Sequence, residues 1–315
     1  MDLDNTEIVI RERTLAQRID LSFHLIRRFA GSVLLYSLVG IAPFFALNIF
    51  LVQTLDTDGY WEYYAWYGKW MMIAVLTTWE TPFAMAPLVV FLSQRIFRQR
   101  VRLGATIRKA LGRFSRQLVL YFLIRLNFLP VLIVMALYIG NEVEPFMFFA
   151  ICTLLWNAIF FAGRPYVDLI MLLEELGFRS KNDGPRLGTR SAALHRYQAG
   201  DLFGESLSLL CLNIVFFIGL YSVQLWGVYI FWQNTVTLNW FSWTFFAVAL
   251  WGTQIFSTVF RFLGYLDTRV RLEGWELELR MKSEGAKVRR QMEHLGFHPE
   301  STGPTPARIQ SGASS

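Results

Sequence analysis

Long apolar runs separated by short polar segments extend over most of the chain. A helix of about 20 apolar residues crosses the hydrocarbon core of a bilayer. The pattern therefore predicts an all-α, polytopic integral membrane protein with a six-span membrane domain over residues 30–266. The predicted spans cover residues 30–55, 70–93, 118–140, 146–163, 207–231 and 241–266.

Residues 1–29, which precede the first run, have a different pattern. Leu15, Ile19, Phe23 and Ile26 recur at near-helical spacing, with arginines between them. This spacing puts apolar side chains on one face of a helix and charges on the other. It predicts an amphipathic N-terminal segment that lies on the inner leaflet of the membrane.

The segment 267–292, after the last run, also mixes apolar and charged positions at helical spacing. It predicts a cytoplasmic amphipathic helix that continues from the sixth span, either as an interfacial cuff or as a docking element for a soluble partner. Residues 293–315 are rich in Gly, Ser and Pro, a composition that predicts a disordered tail.

The positions of the basic residues predict the orientation of the spans. The stretch 94–117 holds eight Lys or Arg residues and no acidic residue, and basic residues close to spans stay on the cytoplasmic side. With the amino terminus inside, the predicted inner segments hold all but three of the 30 basic residues. Both termini are therefore predicted to be cytoplasmic, and the protein is predicted to lie in the cytoplasmic (inner) membrane.

The composition agrees with this interpretation. The 315 residues are 54% hydrophobic and 17% charged, whereas roughly 25% of residues are charged in an average soluble domain. The net charge of +6 could indicate nucleic-acid binding, but the basic residues lie beside apolar runs, which favours the cytoplasmic side of a membrane. The predicted partners are membrane lipids and proteins of a membrane assembly, and no nucleic acid.

Polar residues inside the predicted spans are candidates for a functional site. Glu80 lies near the middle of the second span, where an ionised carboxylate costs about 2.5 to 3.5 kcal/mol and must face protein, water or a cation. Pro82 frees a backbone carbonyl about one turn earlier, so a kinked helix with an ion or proton site is one interpretation. The structural alternative pairs Glu80 with Arg125 or hydrogen-bonds it to Asn157. Asn127 in the third span is a further polar candidate.

Three arginines, Arg125, Arg164 and Arg261, lie near the predicted inner ends of spans. Guanidinium groups match phosphate oxygens in paired geometry, so these residues are candidates for binding lipid phosphate. The alternative is that the long side chains only reach toward the headgroups, under a general attraction to anionic lipid.

Catalytic and metal-binding motifs are not found in the sequence. No HExxH, GxSxG, CxxC or P-loop pattern occurs. His294 and His298 are four residues apart, but Gly296 weakens the helix that would align them. Cys152 and Cys211 lie inside apolar runs and are interpreted as small core residues. No cofactor, metal site or enzymatic activity is predicted.

The end of the last span carries the most distinctive pattern, Tyr265, Asp267, Arg269 and Arg271 followed by Glu273, Gly274 and Trp275. Together with Arg102-Leu103-Gly104 and Arg164-Pro165-Tyr166, this pattern resembles bacterial six-span membrane proteins of the YciC and glycerophosphodiesterase-membrane-domain type. The resemblance implies a helical bundle of the cytoplasmic membrane with no settled chemistry. Such proteins are often encoded beside MoxR-type ATPases and transglutaminase-like membrane proteins.

The catalytic phosphodiesterase barrel of some of these proteins is not expected here, because such barrels need about 250 residues and no soluble run is that long. The predicted function is a non-enzymatic component of a membrane assembly that holds partners or lipids through inner amphipathic segments. The alternative is a transporter or lipid-handling protein with Glu80 as an intramembrane coupling site. The candidate docking residues are Asp267, Arg269, Arg271, Glu273 and Trp275.

Overall fold

The computed structural model of the chain describes residues 13–54, 64–97, 101–119, 121, 143–174, 186–196, 199–232, 235–274, 281, 284, 285 and 288. These residues form helices joined by turns, with no strand among them, so the predicted all-α class is confirmed for this part of the chain. Several predictions fall outside the described residues: those on Arg125, Asn127, Trp275 and the tail 293–315.

The helices are numbered here in chain order within the described residues. They are α1 (Leu15–Arg28), α2 (Ala30–Thr54), α3 (Tyr64–Ala84), α4 (Ala86–Ile96), α5 (Leu103–Leu111), α6 (Phe114–Val119), α7 (Val143–Gly163), α8 (Val167–Leu173), α9 (Leu187–Arg196), α10 (Ala199–Trp232) and α11 (Thr235–Glu273).

Four helical segments in the described part of the chain are long and apolar enough to cross a membrane. They are Ala30–Val52, Gly68–Ile96, Gly200–Ile230 and Trp243–Arg271, at the places of predicted spans one, two, five and six. The shorter apolar segment Ala150–Phe160, within α7, lies at the place of the fourth. The third predicted span, 118–140, lies almost wholly outside the described residues. A membrane protein is therefore supported, and the total of six spans stays a prediction.

Two long helices extend beyond the limits that hydropathy predicts. α10 begins at Ala199 rather than near 207, and α11 continues past 266 to Glu273. Hydropathy marks the bilayer, but a helix satisfies its own backbone hydrogen bonds and can continue into the polar region. α11 ends where Gly274 adopts a φ of 60°, the left-handed conformation that commonly terminates helices. The predicted tail helix therefore begins as the last turns of α11 and is not separate from it.

The second predicted span is interrupted at a single residue between Pro82 and Pro87, although the Met85 N–H still donates to the backbone oxygen of Thr81 at 2.9 Å. α3 ends at Ala84, α4 begins at Ala86, and Met85 forms the turn between them. The combined segment is the most enclosed of the four candidate spans, whereas Gly200–Ile230 lies almost entirely on the surface. The core of the described bundle is therefore built around α3 and α4, with α2, α8 and α11 packed against them.

α1 packs against the helical bundle. Thr14 caps its first turn and forms a capping box with Gln17, which satisfies backbone donors that a helix start leaves unpaired. Arg18, Ser22 and Leu25 are buried against the bundle, because α1 contacts both α2 and α11. Phe23, on the apolar face of α1, is 43% exposed, so this face is only partly covered by the bundle.

A close approach between α2 and α3 fixes the position of the broken helix. A methyl group added at Gly40 would overlap the backbone carbonyl oxygen of Ala84. Small residues at such crossings let membrane helices come within backbone contact.

We expect Gly40→Ala to lower the free energy of unfolding by about 1 to 3 kcal/mol, because the clash is with backbone that must shift. Gly31 on the same helix has no atom within 4 Å of an added methyl group, so Gly31→Ala is the matched control and should be neutral or slightly stabilising. Denaturant unfolding of the purified variants in detergent measures both values. Equal effects of the two substitutions would contradict the close approach.

Candidate functional site

The short helices gather at one end of the bundle. α4 contacts α5 and α8, α8 contacts α9, and α9 and α1 both contact α11. We call this the basic end, formed by α1, α5, α6, α8, α9 and the carboxyl-terminal turns of α11. Most of the described arginines lie on these elements. Ion pairs between these arginines and carboxylates of other helices join the helices at this end.

Four charged residues form one largely buried group, the Arg18 cluster, at this end: Arg13 just before α1, Arg18 in α1, Glu205 in α10 and Asp267 in α11. Arg18 donates to both carboxylate oxygens of Glu205, one at 3.0 Å, and its Nε lies 3.6 Å from Asp267. Arg13 also donates to Asp267, at 3.0 Å. Two arginines and two carboxylates thus join α1 to α10 and α11 with balanced charge.

The groups around Arg18 stabilise its positive charge and keep the neighbouring Tyr166 protonated. Burial acts to lower the pKa of Arg18, but the hydrogen bond and the charge of Glu205 outweigh burial and leave the pKa raised. Tyr166 hydrogen-bonds Thr268 and Arg18, and burial raises its pKa to about 12, so it keeps its proton. Gly264 makes the approach possible, because an added methyl group would lie 2.8 Å from Arg18 Nη1.

A second group, the Glu174 cluster, joins α9 and α11 to the end of α8. Arg190 Nε donates to Glu174 at 2.9 Å, and the Tyr265 hydroxyl donates to it at 2.6 Å. Arg269 Nε lies 3.7 Å from the same carboxylate. The docking candidate Arg269 is therefore engaged within the bundle.

The remaining docking candidates lie in different environments. Asp267 is 4% exposed and belongs to the Arg18 cluster, so it does not form part of an exposed docking face. Arg271 is exposed, and Glu273 is the last residue of α11. The structure thus separates the predicted docking set into buried and exposed members.

The predicted lipid-phosphate arginines are separated too. Arg261 donates to Asp168 at 3.1 Å and to the backbone oxygen of Pro165, so its guanidinium group is turned into the bundle. Arg164 is exposed. The two residues therefore lie in different environments, and binding of lipid phosphate by Arg125, Arg164 and Arg261 stays a prediction, with Arg125 outside the described residues.

Glu80 is fully buried and its described polar contact is with α2. Asn48 Nδ2 donates to Glu80 Oε2 at 2.8 Å, and Glu80 Oε1 has no hydrogen-bond partner among the described residues. The predicted partner Asn157 instead donates to the backbone oxygen of Thr153, at 3.0 Å. A carboxyl group with one neutral donor in a membrane interior is an unusual arrangement that favours either a functional role or a conformational constraint.

A serine and a histidine in α9 lie close together without forming a catalytic pair. Ser191 Oγ is 3.4 Å from His195 Nδ1, but the same nitrogen is 2.6 Å from the backbone oxygen of Ser191. A carbonyl only accepts, so Nδ1 must carry the proton and cannot take one from the hydroxyl group. Burial lowers the pKa of His195, with a smaller contribution of the same sign from Arg164, so the ring stays neutral. Within the described residues, no group of three or more His, Cys, Asp or Glu could hold a metal ion.

The sequence interpretation missed the partners of these groups. Asn48 is a lone amide in an apolar span, and Glu205 and Asp168 are carboxylates beside apolar runs. Arg18 lies four residues before Ser22 and seven before Leu25, a spacing that puts all three on one helical face. Polar residues at such places indicate burial with a partner, but the pattern does not identify the partner.

Comparison of the chain with protein-family models, with curated proteins and with solved structures finds no match. The described fold is all-helical, with four candidate membrane spans and a charge-paired basic end. The resemblance to the YciC type stays a prediction that rests on the short motifs alone.

We expect Arg18→Met to lower the free energy of unfolding by about 3 kcal/mol, because Glu205 and Asp267 would keep their burial and lose their central cation. Arg27 is an exposed arginine of the same helix, so Arg27→Met is the control and should change stability by less than about 1 kcal/mol. Unfolding of both variants in detergent provides the comparison. A loss at Arg18 no larger than at Arg27 would show that the cluster does not hold α1.

Proposed function

We propose that this chain is a non-enzymatic component of an assembly in the cytoplasmic membrane, with six spans and both termini inside. It holds lipids or protein partners through amphipathic segments on its inner face. In this proposal α1 and the end of α11 are fixed parts of the bundle. The surface that binds lipids or partners lies on other helices, α5 and α6.

The observation that carries the proposal is the exposed surface of α5 and α6. This surface combines apolar side chains with basic ones and contains no acidic residue over 101–119. Thr106 is fully buried and donates to Gln94 of α4 at 2.7 Å, so α5 is anchored on its other face. The exposed large apolar members are Leu103, Leu111, Phe114, Leu118 and Val119, and the exposed basic members are Arg102, Arg108, Lys109 and Arg116.

A surface of this composition suits anionic lipid or an acidic partner. Basic residues near a membrane surface contribute about 1 kcal/mol each to the attraction of anionic lipid, and exposed apolar side chains insert at the headgroup boundary. The ion pairs of the Arg18 cluster are largely buried and balanced in charge, so they add little to such an attraction.

We expect the variant with Arg102, Arg108, Lys109 and Arg116 changed to Gln to lose co-purifying anionic lipid or partner protein, by about 1 kcal/mol for each charge. The control changes four exposed arginines elsewhere to Gln. Both variants therefore lose four positive charges relative to the original protein. Mass spectrometry of the proteins and lipids retained in native membrane patches measures the loss. The control set is Arg27, Arg28, Arg164 and Arg271.

A third protein in the same experiment, a chain that stops at Gly274, tests the tail. Truncation should begin there and not at Asp267, because removal of Asp267 would open the Arg18 cluster. If the truncated chain loses stoichiometric proteins, partner docking lies on the tail. If both four-charge variants lose equal amounts of lipid or protein, binding by the α5–α6 surface is contradicted. Turnover of lipid or peptide by the pure protein would contradict a non-enzymatic role.

The buried Glu80 favours a second candidate function, a transporter or lipid-handling protein with Glu80 as its coupling site. Its supporting observations are the full burial of the carboxyl group and the single Asn48 donor. The turn at Met85, between α3 and α4, follows Glu80 by five residues. Broken helices and intramembrane carboxylates occur together at the coupling sites of many transporters.

This second candidate predicts that Glu80→Gln abolishes proton flux while abundance and unfolding remain as in the original protein. Gln keeps an oxygen for the Asn48 amide, so the loss would come from the ionisable proton. Thr253 is a buried polar residue of another span, and Thr253→Val is the control. Flux into proteoliposomes with an enclosed pH-sensitive dye measures the effect, and unchanged flux in the Glu80 variant would exclude this role.

A further inference from the structure

Two exposed arginines from different helices lie over one aromatic ring. Phe29 is the single residue between α1 and α2. The guanidinium carbon of Arg28 lies 5.4 Å from the centre of the Phe29 ring, and that of Arg95, in the last turn of α4, lies 5.1 Å from the same centre. Both arginines are exposed. Each distance is within the range of a cation–π contact, so one ring brings the two cations together.

The packing of α2 on α4 fixes this arrangement. Tyr36 of α2 stacks on Phe91 of α4 with ring centres 4.6 Å apart. Phe29 lies seven residues before Tyr36, and Arg95 lies four residues after Phe91, so the two contacts follow each other along an antiparallel helix pair. Phe29 is partly buried and packs against the hydrophobic core. The ring is therefore a fixed support for both arginines.

The ring lies where two candidate spans end. The span Ala30–Val52 begins directly after Phe29, and the span Gly68–Ile96 ends one residue after Arg95. Arginines at the ends of spans reach the headgroup layer, where the phosphates of the lipids lie. The paired arginines are thus at the level of lipid phosphate.

A cation–π contact prepares an arginine to bind phosphate. Such a contact uses the face of the guanidinium group, whereas the N–H donors lie in its plane and are not used by the ring. Phosphate oxygens accept these donors in pairs. The ring also restricts two long side chains, which lowers the entropy that ligand binding would cost.

The surface of α2 beyond the ring favours a lipid over a free phosphate ion. Leu34, Leu35 and Leu38 follow within three turns of Phe29 and are 51%, 47% and 57% exposed. An acyl chain covers such a surface, and a phosphate ion does not. The two cations also disfavour a headgroup that carries an ammonium group, since like charges repel. These features select an anionic phospholipid.

We propose that Arg28, Phe29 and Arg95 form a binding site for one anionic phospholipid. The two arginines bind its phosphate, and an acyl chain lies along the exposed leucines of α2. The site is separate from the α5–α6 surface and does not depend on the proposed function. Arg28 also belongs to the four-charge control described above, so that control should lose this single lipid and keep those bound by α5 and α6.

Titration of the delipidated full chain with phosphatidylglycerol, followed by native mass spectrometry, measures the affinity of the first bound lipid. Arg28→Gln and Arg95→Gln should each weaken it about fivefold. The double variant should lose less than the product of the two single effects, because each arginine holds the phosphate in place for the other. Arg27→Gln, an exposed neighbour in the same helix, is the control and should change the affinity by less than about twofold. Independent effects that multiply in the double variant would overturn the proposal.

A conservative variant and two other ligands provide a second test. Arg95→Lys keeps the charge but loses the paired donors, so the affinity should fall about threefold even if a Gln variant fails to fold. Diacylglycerol with the same acyl chains should bind about tenfold more weakly than phosphatidylglycerol, and inorganic phosphate should not displace the lipid. Full affinity in Arg95→Lys, equal binding of diacylglycerol, or displacement by inorganic phosphate would each overturn the proposal.

Discussion

The buried charge of Arg18 is the constraint on which the arrangement of the described helices most depends. Its guanidinium group is taken out of water, so it needs carboxylates, and these come from α10 through Glu205 and from α11 through Asp267. A buried ion pair adds little to net stability, but removal of one partner is costly. The cluster therefore fixes the position of α1 more than it adds stability. In that position Glu205 and Asp267 compensate the charge of Arg18. Gly264 leaves room for this arrangement, because an added methyl group would crowd both the Tyr166 hydroxyl and the Arg18 guanidinium group.

The described carboxylates differ in how their charge is compensated. At the basic end, they are paired with arginines, as in the Glu174 cluster. Asp168 is likewise paired with Arg261. Glu80, in the predicted second span, has only the neutral Asn48 amide among its described hydrogen-bond partners. A carboxylate within a span is costly without a cation, so Glu80 is the exception among these groups.

The apolar runs predicted most of the helices. A helix buried in lipid or protein needs apolar residues close together along the chain, and this pattern is visible in one sequence. α2, the broken α3–α4 helix, α10 and α11 lie where the runs predicted them. The pairings could not be predicted in the same way. Arg18 and Glu205 are 187 positions apart, and nothing local to either residue identifies the other. Asp267 was predicted to dock a partner because it lies in a charged segment, but it faces inward because α11 continues past the apolar run.

This distribution of charge bears directly on function. A basic residue paired inside the bundle holds helices together, so Arg18 and Arg261 contribute little to the attraction of an external anion. An exposed one such as Arg108, on a helix that Thr106 anchors from behind, does contribute. The positive charge on the surface of α5 and α6, like that of an exposed arginine elsewhere such as Arg27, stays open to an external anion, whereas the Arg18 cluster has compensated its own. The buried and the exposed arginines thus differ in whether the fold supplies a carboxylate.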